Sequence, residues 1–303
     1  MGAVTSTRTA ALALGGLLAV AVAWGSSFPI TRVVLREMTA AQFLAVRFAI
    51  AAIVMLAVFH RAVRALPRRV LVHGLLLGVL YGVAQLVQTI GLETTPASIS
   101  GFITGLYVVL TPVCAAILLR TPIGLRVWVG TAMATVGLGI LALQDLTLGF
   151  GEIVTLVSAL LYALHIVGLG AWSTARQALG LSVVQIAACA VVSVIAAAPG
   201  GYALPGSGRT WVAIIYMALI SGALAMFVQS WAQAHLAPSR AAIIMSTEPV
   251  WAAALAVIFI GEALTWRIVV GGSIMLAAML LVELAPRLPT MLPGPEELPK
   301  LTG

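Results

Sequence analysis

Two charged side chains lie inside long apolar stretches of the sequence. Arg47 falls within the apolar run 40–59, and Glu248 falls within the apolar run 238–260. A charge inside a membrane span is costly, so each residue is a functional candidate. Glu248 suits proton coupling or capture of a substrate ammonium group, and it equally suits a structural carboxylate beside the helix-breaking Pro249. For Arg47 a structural role is favoured, because a guanidinium can satisfy carbonyls at a helix contact or reach the membrane interface. The two charges could pair with each other or act separately.

Polar and aromatic residues recur at helical spacing on four other apolar runs. Each set follows the i, i+3 or i+4, i+7 spacing that places its members on one side of a helix. The sets are Trp24, Ser27 and Thr31; Tyr81, Gln85 and Gln88; Thr104, Tyr107 and Thr111; and Ser158, Tyr162 and His165. Together they predict an aromatic cavity with a few hydrogen-bonding groups, which suits a zwitterion or a flat organic cation. For any single set, ordinary interhelical packing is the alternative, and for His165 a proton relay is a further one.

Helix-breaking residues accompany these polar sets. Gly25 and Pro29 enclose two serines and a phenylalanine in the first run, and Pro112 and Pro249 lie in two later runs. Interrupted helices expose backbone groups to a substrate and allow bending, so these four residues are predicted hinge or break points. Tolerated kinks without a role are the alternative.

The elements that must position these residues are ten apolar runs. Each has about the 20 residues that a membrane-spanning helix needs. The runs are 9–34, 40–59, 70–91, 97–119, 125–144, 150–172, 181–199, 210–233, 238–260 and 267–285. The chain has 303 residues, of which 62% are hydrophobic and 8% are charged, whereas soluble domains carry about 25% charged residues. The sequence therefore predicts an all-α integral membrane protein with ten transmembrane helices.

The loops carry an uneven distribution of lysine and arginine, which predicts orientation. On the N-terminal side fall Arg8, Arg61, Arg64, Arg68, Arg69, Arg120, Arg126, Arg176, Arg240, Arg287 and Lys300, and on the other side fall Arg32, Arg36, Arg209 and Arg267. Both termini are therefore expected to be cytoplasmic. The net charge of +7 follows from this topology and gives no basis for a nucleic-acid partner.

The two halves of the chain resemble one another at a shift of about 138 residues. The matched positions are Trp24 with Tyr162, Ser27 with His165, Arg47 with Gln185, Val87-Gln88 with Val228-Gln229, and Thr111-Pro112-Val113 with Glu248-Pro249-Val250. Chance alignment of apolar sequences is the alternative. A cleaved signal peptide is an alternative for the first run, but the repeat requires that segment.

Five spans in each half is an odd number, so the second half must cross the membrane in the opposite direction. The sequence thus predicts two inverted five-helix repeats, 9–144 and 150–285, followed by a cytoplasmic tail, 286–303. Inverted repeats are common in secondary transporters, whose substrate site lies near the midplane between the halves.

Several short motifs resemble the drug/metabolite transporter superfamily, specifically a pair of EamA domains. These motifs are Trp24-Gly25-Ser26-Ser27-Phe28, Arg47-Phe48, the stretch from Gly101 to Pro112, Glu248-Pro249 and Gly261-Glu262. The resemblance covers about residues 9–285 and implies two inverted EamA repeats that export small metabolites, most like the YddG-type amino-acid exporters. One departure is that the first half has Leu119-Arg120-Thr121-Pro122 where the family pattern closes the fourth span with Gly-Glu.

The resemblance and the residue patterns together predict a secondary transporter of a bacterial inner membrane. We expect it to export small amphipathic metabolites by alternating access, with neutral and aromatic amino acids first. The residues expected to bind substrate are Trp24, Ser27, Tyr81, Gln85, Gln88, Thr104, Tyr107, Tyr162, His165 and Glu248, and those for charge coupling are Glu248 and Arg47. The alternatives are a multidrug exporter of quaternary-ammonium cations on the same scaffold and a membrane sensor that does not transport.

Several other activities lack their residues in the sequence. The only lysine, Lys300, lies in the tail, so no span offers a lysine for a retinal Schiff base. The spans contain neither paired carboxylates nor a His/Cys/Asp cluster, and the chain has no P-loop or serine-hydrolase elbow. We therefore expect no enzymatic activity, no metal and no cofactor. The expected partners are a small-molecule substrate and the lipid bilayer, and the oligomeric state stays open.

Overall fold

The computed structural model of this chain describes residues 7–119, 124–142, 149–174, 177–233 and 244–284. Helices joined by turns and short loops make up this part of the chain, and it contains no β-strand. The predicted tail, 286–303, lies outside the described residues, and so does most of the departure at Leu119-Arg120-Thr121-Pro122.

The helices follow the predicted apolar runs closely. The first half contains α1 (Thr7–Val34), α2 (Ala40–Arg64), α3 (Arg68–Gly91), α4 (Ala97–Gly105), α5 (Tyr107–Leu119) and α6 (Leu125–Ala142). The second half contains α7 (Phe150–Trp172), α8 (Ala178–Ala197), α9 (Gly208–Ala218), α10 (Ala225–Gln233), α11 (Glu248–Ile260) and α12 (Trp266–Glu283). A π-helical segment, Leu219–Leu224, joins α9 to α10.

The length and apolar character of these helices fit a membrane protein. Within the described ranges, six helical stretches are long and apolar enough to cross a membrane: Ala11–Val34, Ala40–Arg64, Arg68–Gly91, Ala97–Leu118, Phe150–Trp172 and Ala178–Gly200. Four shorter apolar helices, at Leu125–Leu141, Gly208–Leu224, Glu248–Ile260 and Trp266–Val282, fall in the other four predicted runs. The predicted all-α membrane fold is confirmed.

Local sequence signals set several helix ends. At the start of α2, Thr39 and Gln42 form a reciprocal capping box, in which each side chain accepts a hydrogen bond from the backbone nitrogen of the other. This arrangement satisfies two amide groups that the first turn of a helix leaves without partners. At the end of α11, Gly261 adopts φ +70°, the left-handed conformation that glycine takes without strain. The chain then continues into residues 261–265, a short connection to α12 that contains Glu262.

The core joins the two halves of the chain rather than each half to itself. The helix α2 packs against α8, and α6 packs against α12, so helices at equivalent places in the two halves are neighbours. Between α2, α8 and α9 the buried residues include Phe43, Phe48, Ile186 and Met217. Because the halves interlock in this way, residues from both surround the space left between α1, α3, α7 and α11.

The structure corrects the predicted break at Gly25 and Pro29, because α1 continues through both residues. A proline inside a membrane helix is tolerated when nearby groups satisfy the backbone. Here Gly25 serves close packing: an added Cβ would lie 2.7 Å from Trp251 Cβ and 2.9 Å from the Ala252 nitrogen. Glycine at this position therefore lets α1 approach α11.

The fourth run is interrupted at Leu106 and not at Pro112, which lies inside α5. At Leu106 the backbone nitrogen donates to the Ile103 oxygen at 3.1 Å, three residues back instead of four. This tighter turn ends α4 and starts α5 in a new register.

At Pro249 the structure does show an interruption, because α11 begins at Glu248. Proline fits the first turn of a helix, where its missing N–H would have had no intrahelical partner. The preceding Thr247 hydroxyl donates to the Ile244 oxygen at 2.6 Å, so the turn before α11 is itself hydrogen-bonded.

Candidate functional site

A cavity of about 720 Å³ lies between the two halves. Every residue that the sequence predicted to bind substrate lines this cavity: Trp24, Ser27, Tyr81, Gln85, Gln88, Thr104, Tyr107, Tyr162, His165 and Glu248. Arg47 lines it as well. Their common location is a structural fact, and their binding of a substrate stays a prediction.

Two residues of the polar sets do not line the cavity. The Ser158 hydroxyl donates to the Thr155 oxygen at 2.6 Å, and the Thr111 hydroxyl donates to the Tyr107 oxygen at 2.6 Å. Both hydroxyls are satisfied within their own helices. The remaining member, Thr31, lines the cavity beside Ser27.

A hydrogen-bonded chain crosses the cavity wall from α7 to α4. The Tyr162 hydroxyl donates to Gln88 Oε1 at 2.9 Å, and Gln88 Nε2 donates to the Thr104 hydroxyl at 3.0 Å. These two hydrogen bonds link three helices. They give partners to polar side chains that are buried or half-buried. The hydrogen-bonded chain therefore fixes the orientation of the Tyr162 ring.

Aromatic rings cluster around Tyr81. Its ring centroid lies 5.3 Å from that of His165, 5.9 Å from that of Tyr162 and 6.2 Å from that of Phe48. These separations lie in the range of favourable aromatic contacts. Gln85 Nε2 donates to the Tyr81 hydroxyl at 2.9 Å, which holds the ring from its own helix. The cluster gives one wall of the cavity an aromatic surface with a polar rim.

His165 is held by an amide rather than by an ionisable group. Its Nε2 donates to Gln185 Oε1 at 2.6 Å, and Gln185 Nε2 donates to the Leu181 oxygen at 3.3 Å. A glutamine amide does not titrate, so this contact positions the imidazole without offering it a proton acceptor for a relay. The geometry favours a structural or binding role for His165.

Trp24 is fixed through the π-helical segment. Its Nε1 donates to the Ser221 oxygen at 2.8 Å, and the Ser221 hydroxyl donates to the Ala23 oxygen at 2.8 Å. Short π-helical segments are frequent at functional sites. The segment Leu219–Leu224 therefore anchors α1 and the indole ring at the cavity wall.

Arg47 and Glu248 lie in the same cavity but do not pair. The guanidinium carbon of Arg47 lies 5.0 Å from the centroid of the Phe48 ring and 5.9 Å from that of Phe43. The Phe48 ring in turn contacts the Tyr81 ring, with 6.2 Å between centroids. Phe48 therefore connects Arg47 to the aromatic cluster around Tyr81.

The cavity is closed at one end and accessible at the other. At one end, near the C-terminal ends of α1 and α3, the lining residues are buried: Phe28, Thr31, Thr89 and Leu92. At the opposite end, beside the connection from α7 to α8, the lining includes the exposed Gly170 and the half-buried residues Leu169, Ser173 and Ser182. The described residues thus leave the cavity open beside the α7–α8 connection.

Polar contacts as well as apolar packing hold the closed end. Glu262 accepts hydrogen bonds from the Ala97 nitrogen at 2.6 Å, the Ser98 nitrogen at 3.0 Å and the Ser98 hydroxyl at 2.7 Å. Arg32 donates to the backbone oxygens of Leu92 and Thr95. Below these contacts, Phe28 and Leu92 pack with alanines of α4 and α11. Both halves therefore contribute to the closure.

Gln185 and Ser221 were not among the predicted site residues. Gln185 aligns with Arg47 in the repeat, and an amide in an apolar run was the signal that could have identified it. Ser221 gave no comparable signal, because its position on a π-helical segment is not readable from spacing.

Comparisons with known proteins agree with the fold. The sequence model of the EamA-like transporter family matches this chain twice, over residues 11–143 and 149–284. An uncharacterized transporter of Archaeoglobus fulgidus is 30% identical over 275 residues, which are 89% of this chain and 85% of the relative. One solved crystal structure superposes with a TM-score of 0.62 at 17% identity, covering 91% of this chain and 96% of its own. This structural likeness concerns the fold alone.

Proposed function

Because the chain belongs to the EamA-like transporter family, we propose that it is a secondary transporter that exports small amphipathic metabolites, amino acids first. The observation that carries the proposal is the composition of the cavity. A guanidinium, a carboxylate and an aromatic cluster line one space between the two halves. Its volume of about 720 Å³ lies in the range of small-molecule sites, roughly 300–1,000 Å³.

The proposed mechanism is alternating access. In transporters with repeats, one half rocks against the other around a fixed midplane site. The cavity here is closed at the Glu262 end and accessible beside the α7–α8 connection. The arginine distribution predicts that this connection is cytoplasmic, with both termini on the same side. An opening on the cytoplasmic side would load an exporter of a bacterial inner membrane with its substrate.

Glu248 is the proposed anchor for a substrate ammonium group or a coupling proton. It begins α11 and lines the cavity, and no cation of the described residues pairs with it. The neighbouring aromatic rings suit a positive group, because their faces attract cations.

A second candidate is an exporter of quaternary-ammonium cations, which the same carboxylate and rings favour. Such a transporter would depend on Glu248 and would not need a substrate carboxylate. The two candidates therefore differ in the ligand that drives transport.

Counterflow in proteoliposomes tests the proposal. Vesicles containing the purified full chain are loaded with one unlabelled amino acid at a time, and uptake of labelled phenylalanine is followed. We expect neutral and aromatic amino acids to drive accumulation and Glu248→Gln to reduce it at least tenfold. Glu93→Gln, at an exposed position outside the cavity, is the matched control and should transport normally.

Each of the other outcomes contradicts amino-acid export. Flux with a quaternary-ammonium dye but with no amino acid would assign the chain to cation export. Ligand binding without flux of any tested compound would support a sensor.

A further inference from the structure

Arg47 is a buried cation whose hydrogen-bonding capacity is not fully used. It is 9% exposed, lies on α2 and lines the cavity. Its Nε is buried and has no hydrogen-bond partner in the described part of the chain. A guanidinium carries five N–H donors and no acceptor, so its requirement is for oxygen atoms. Because Arg47 lines the cavity, oxygen atoms of a bound molecule can reach the guanidinium from that side.

The contacts that Arg47 does make leave its donors unused. The rings of Phe43 and Phe48 lie near the guanidinium. Such rings attract a positive charge, but they do not replace oxygen atoms as hydrogen-bond acceptors for its N–H groups. Phe48 in turn contacts the Tyr81 ring, so in the described part of the chain the surroundings of the guanidinium are aromatic and not acidic. Within the described residues, no acidic side chain neutralises this charge.

The equivalent position in the other half is different. Gln185 aligns with Arg47 in the repeat, and both of its amide atoms are engaged, with His165 and with the Leu181 oxygen. A polar side chain at this place in the fold can therefore be satisfied internally. Arg47 faces the same cavity with a charge and without such partners.

From this geometry we propose that Arg47 binds the carboxylate of the transported molecule, which rests on the proposed transport function. The planar guanidinium matches a carboxylate with two parallel hydrogen bonds, and such charge-assisted pairs are among the strongest in proteins. The substrate class is thereby narrowed to molecules with a carboxylate, and cations that lack one are excluded. Tyr81 and Tyr162, which line the same cavity, would contact the rest of the molecule.

The test compares a carboxylate with its amide on the same scaffold. Equilibrium binding of phenylalanine and of phenylalaninamide to the purified full chain is measured for the wild type, Arg47→Lys and Arg47→Gln. Phenylalanine counterflow is measured for the same three proteins. A hydrogen bond to a charged group contributes about 1.5–3 kcal/mol, which corresponds to about tenfold or more in affinity. We therefore expect the wild type to bind phenylalanine at least about tenfold more tightly than phenylalaninamide.

In Arg47→Gln, phenylalanine binding and counterflow should fall about tenfold or more, whereas amide binding should change less than threefold. Arg47→Lys should be intermediate, because it keeps the charge and loses the fork. A parallel loss of both ligands in Arg47→Gln would show a structural role and overturn the proposal.

A second result does not depend on whether the variants fold. If the wild type binds phenylalaninamide as tightly as phenylalanine, the carboxylate is not recognised and the proposal fails. Absence of counterflow with every amino acid in the wild type is a separate outcome, since it rejects the proposed function itself.

Discussion

Glu262 Oε2 accepts two hydrogen bonds from Ser98, one from the backbone nitrogen at 3.0 Å and one from the hydroxyl at 2.7 Å. The two residues are 164 positions apart, and they join the segment after α11 to the first turn of α4. A carboxylate at a helix N-terminus satisfies free amide groups and interacts favourably with the helix dipole. Because the contact lies at the closed end of the cavity and joins the two halves, we expect it to restrain that end.

Glu262→Ala should therefore loosen the closed end. Loss of a charge-assisted contact to buried amide groups costs about 1–3 kcal/mol, which shifts the balance toward the open form. The measurement is the labelling rate of Thr89→Cys, at the closed end, with and without Glu262→Ala. A membrane-impermeant maleimide is added only on the side of the membrane that the closed end faces. We expect labelling to become at least several-fold faster.

Glu93→Ala is the matched control for this experiment, because it removes an exposed carboxylate from the connection between α3 and α4. It should leave the labelling rate unchanged. Background from Cys114 and Cys189, both buried, is measured on the chain without the added cysteine. Equal labelling with and without Glu262 would show that its contact does not restrain the closed end.

Gly25→Ala should destabilise the protein, although alanine is the better helix former. The added Cβ would lie 2.7 Å from Trp251 Cβ and 2.9 Å from the Ala252 nitrogen, and overpacking of this kind costs about 1–3 kcal/mol. Thermal unfolding of the purified chain in detergent should show a lower Tm. The control is Gly15→Ala on the same helix, where an added Cβ meets nothing within 4 Å and the Tm should not fall.

The cavity lining was predictable because helical spacing alone decides which residues share one side of a helix. The sets containing Trp24 and Tyr81 needed only that periodicity, whereas Ser158, in the set of Tyr162, has the same spacing and does not line the cavity. The break at Leu106 was not predictable, because the visible signal was Pro112, six residues away. The partners of Glu262 were equally hidden, since only the packing of α11 against α4 brings Ser98 within reach.

Tyr162→Phe should weaken substrate binding more than it weakens the fold. The change removes the donor to Gln88 Oε1 and keeps the ring that faces Tyr81. A neutral hydrogen bond within the protein contributes about 0.5–1.5 kcal/mol to stability, so Tm should fall slightly. Because the ring that lines the cavity is then no longer held in one orientation, phenylalanine affinity should fall about two- to tenfold. Tyr202→Phe, at an exposed tyrosine, should leave affinity unchanged, and an equal loss in both variants would contradict the assignment.

His165 offers a direct distinction between positioning and proton transfer. His165→Gln can still donate to Gln185 Oε1, the partner of the native imidazole at 2.6 Å, but it cannot carry a proton at physiological pH. If His165 positions the cavity wall, His165→Gln should keep counterflow within about twofold of the wild type, because it can keep the hydrogen bond to Gln185. His165→Ala removes both the ring and this hydrogen bond and should lower counterflow more. Uptake is measured with and without an imposed pH gradient. If His165 relays protons, both variants will lose any response to the gradient, and the positioning role will be wrong.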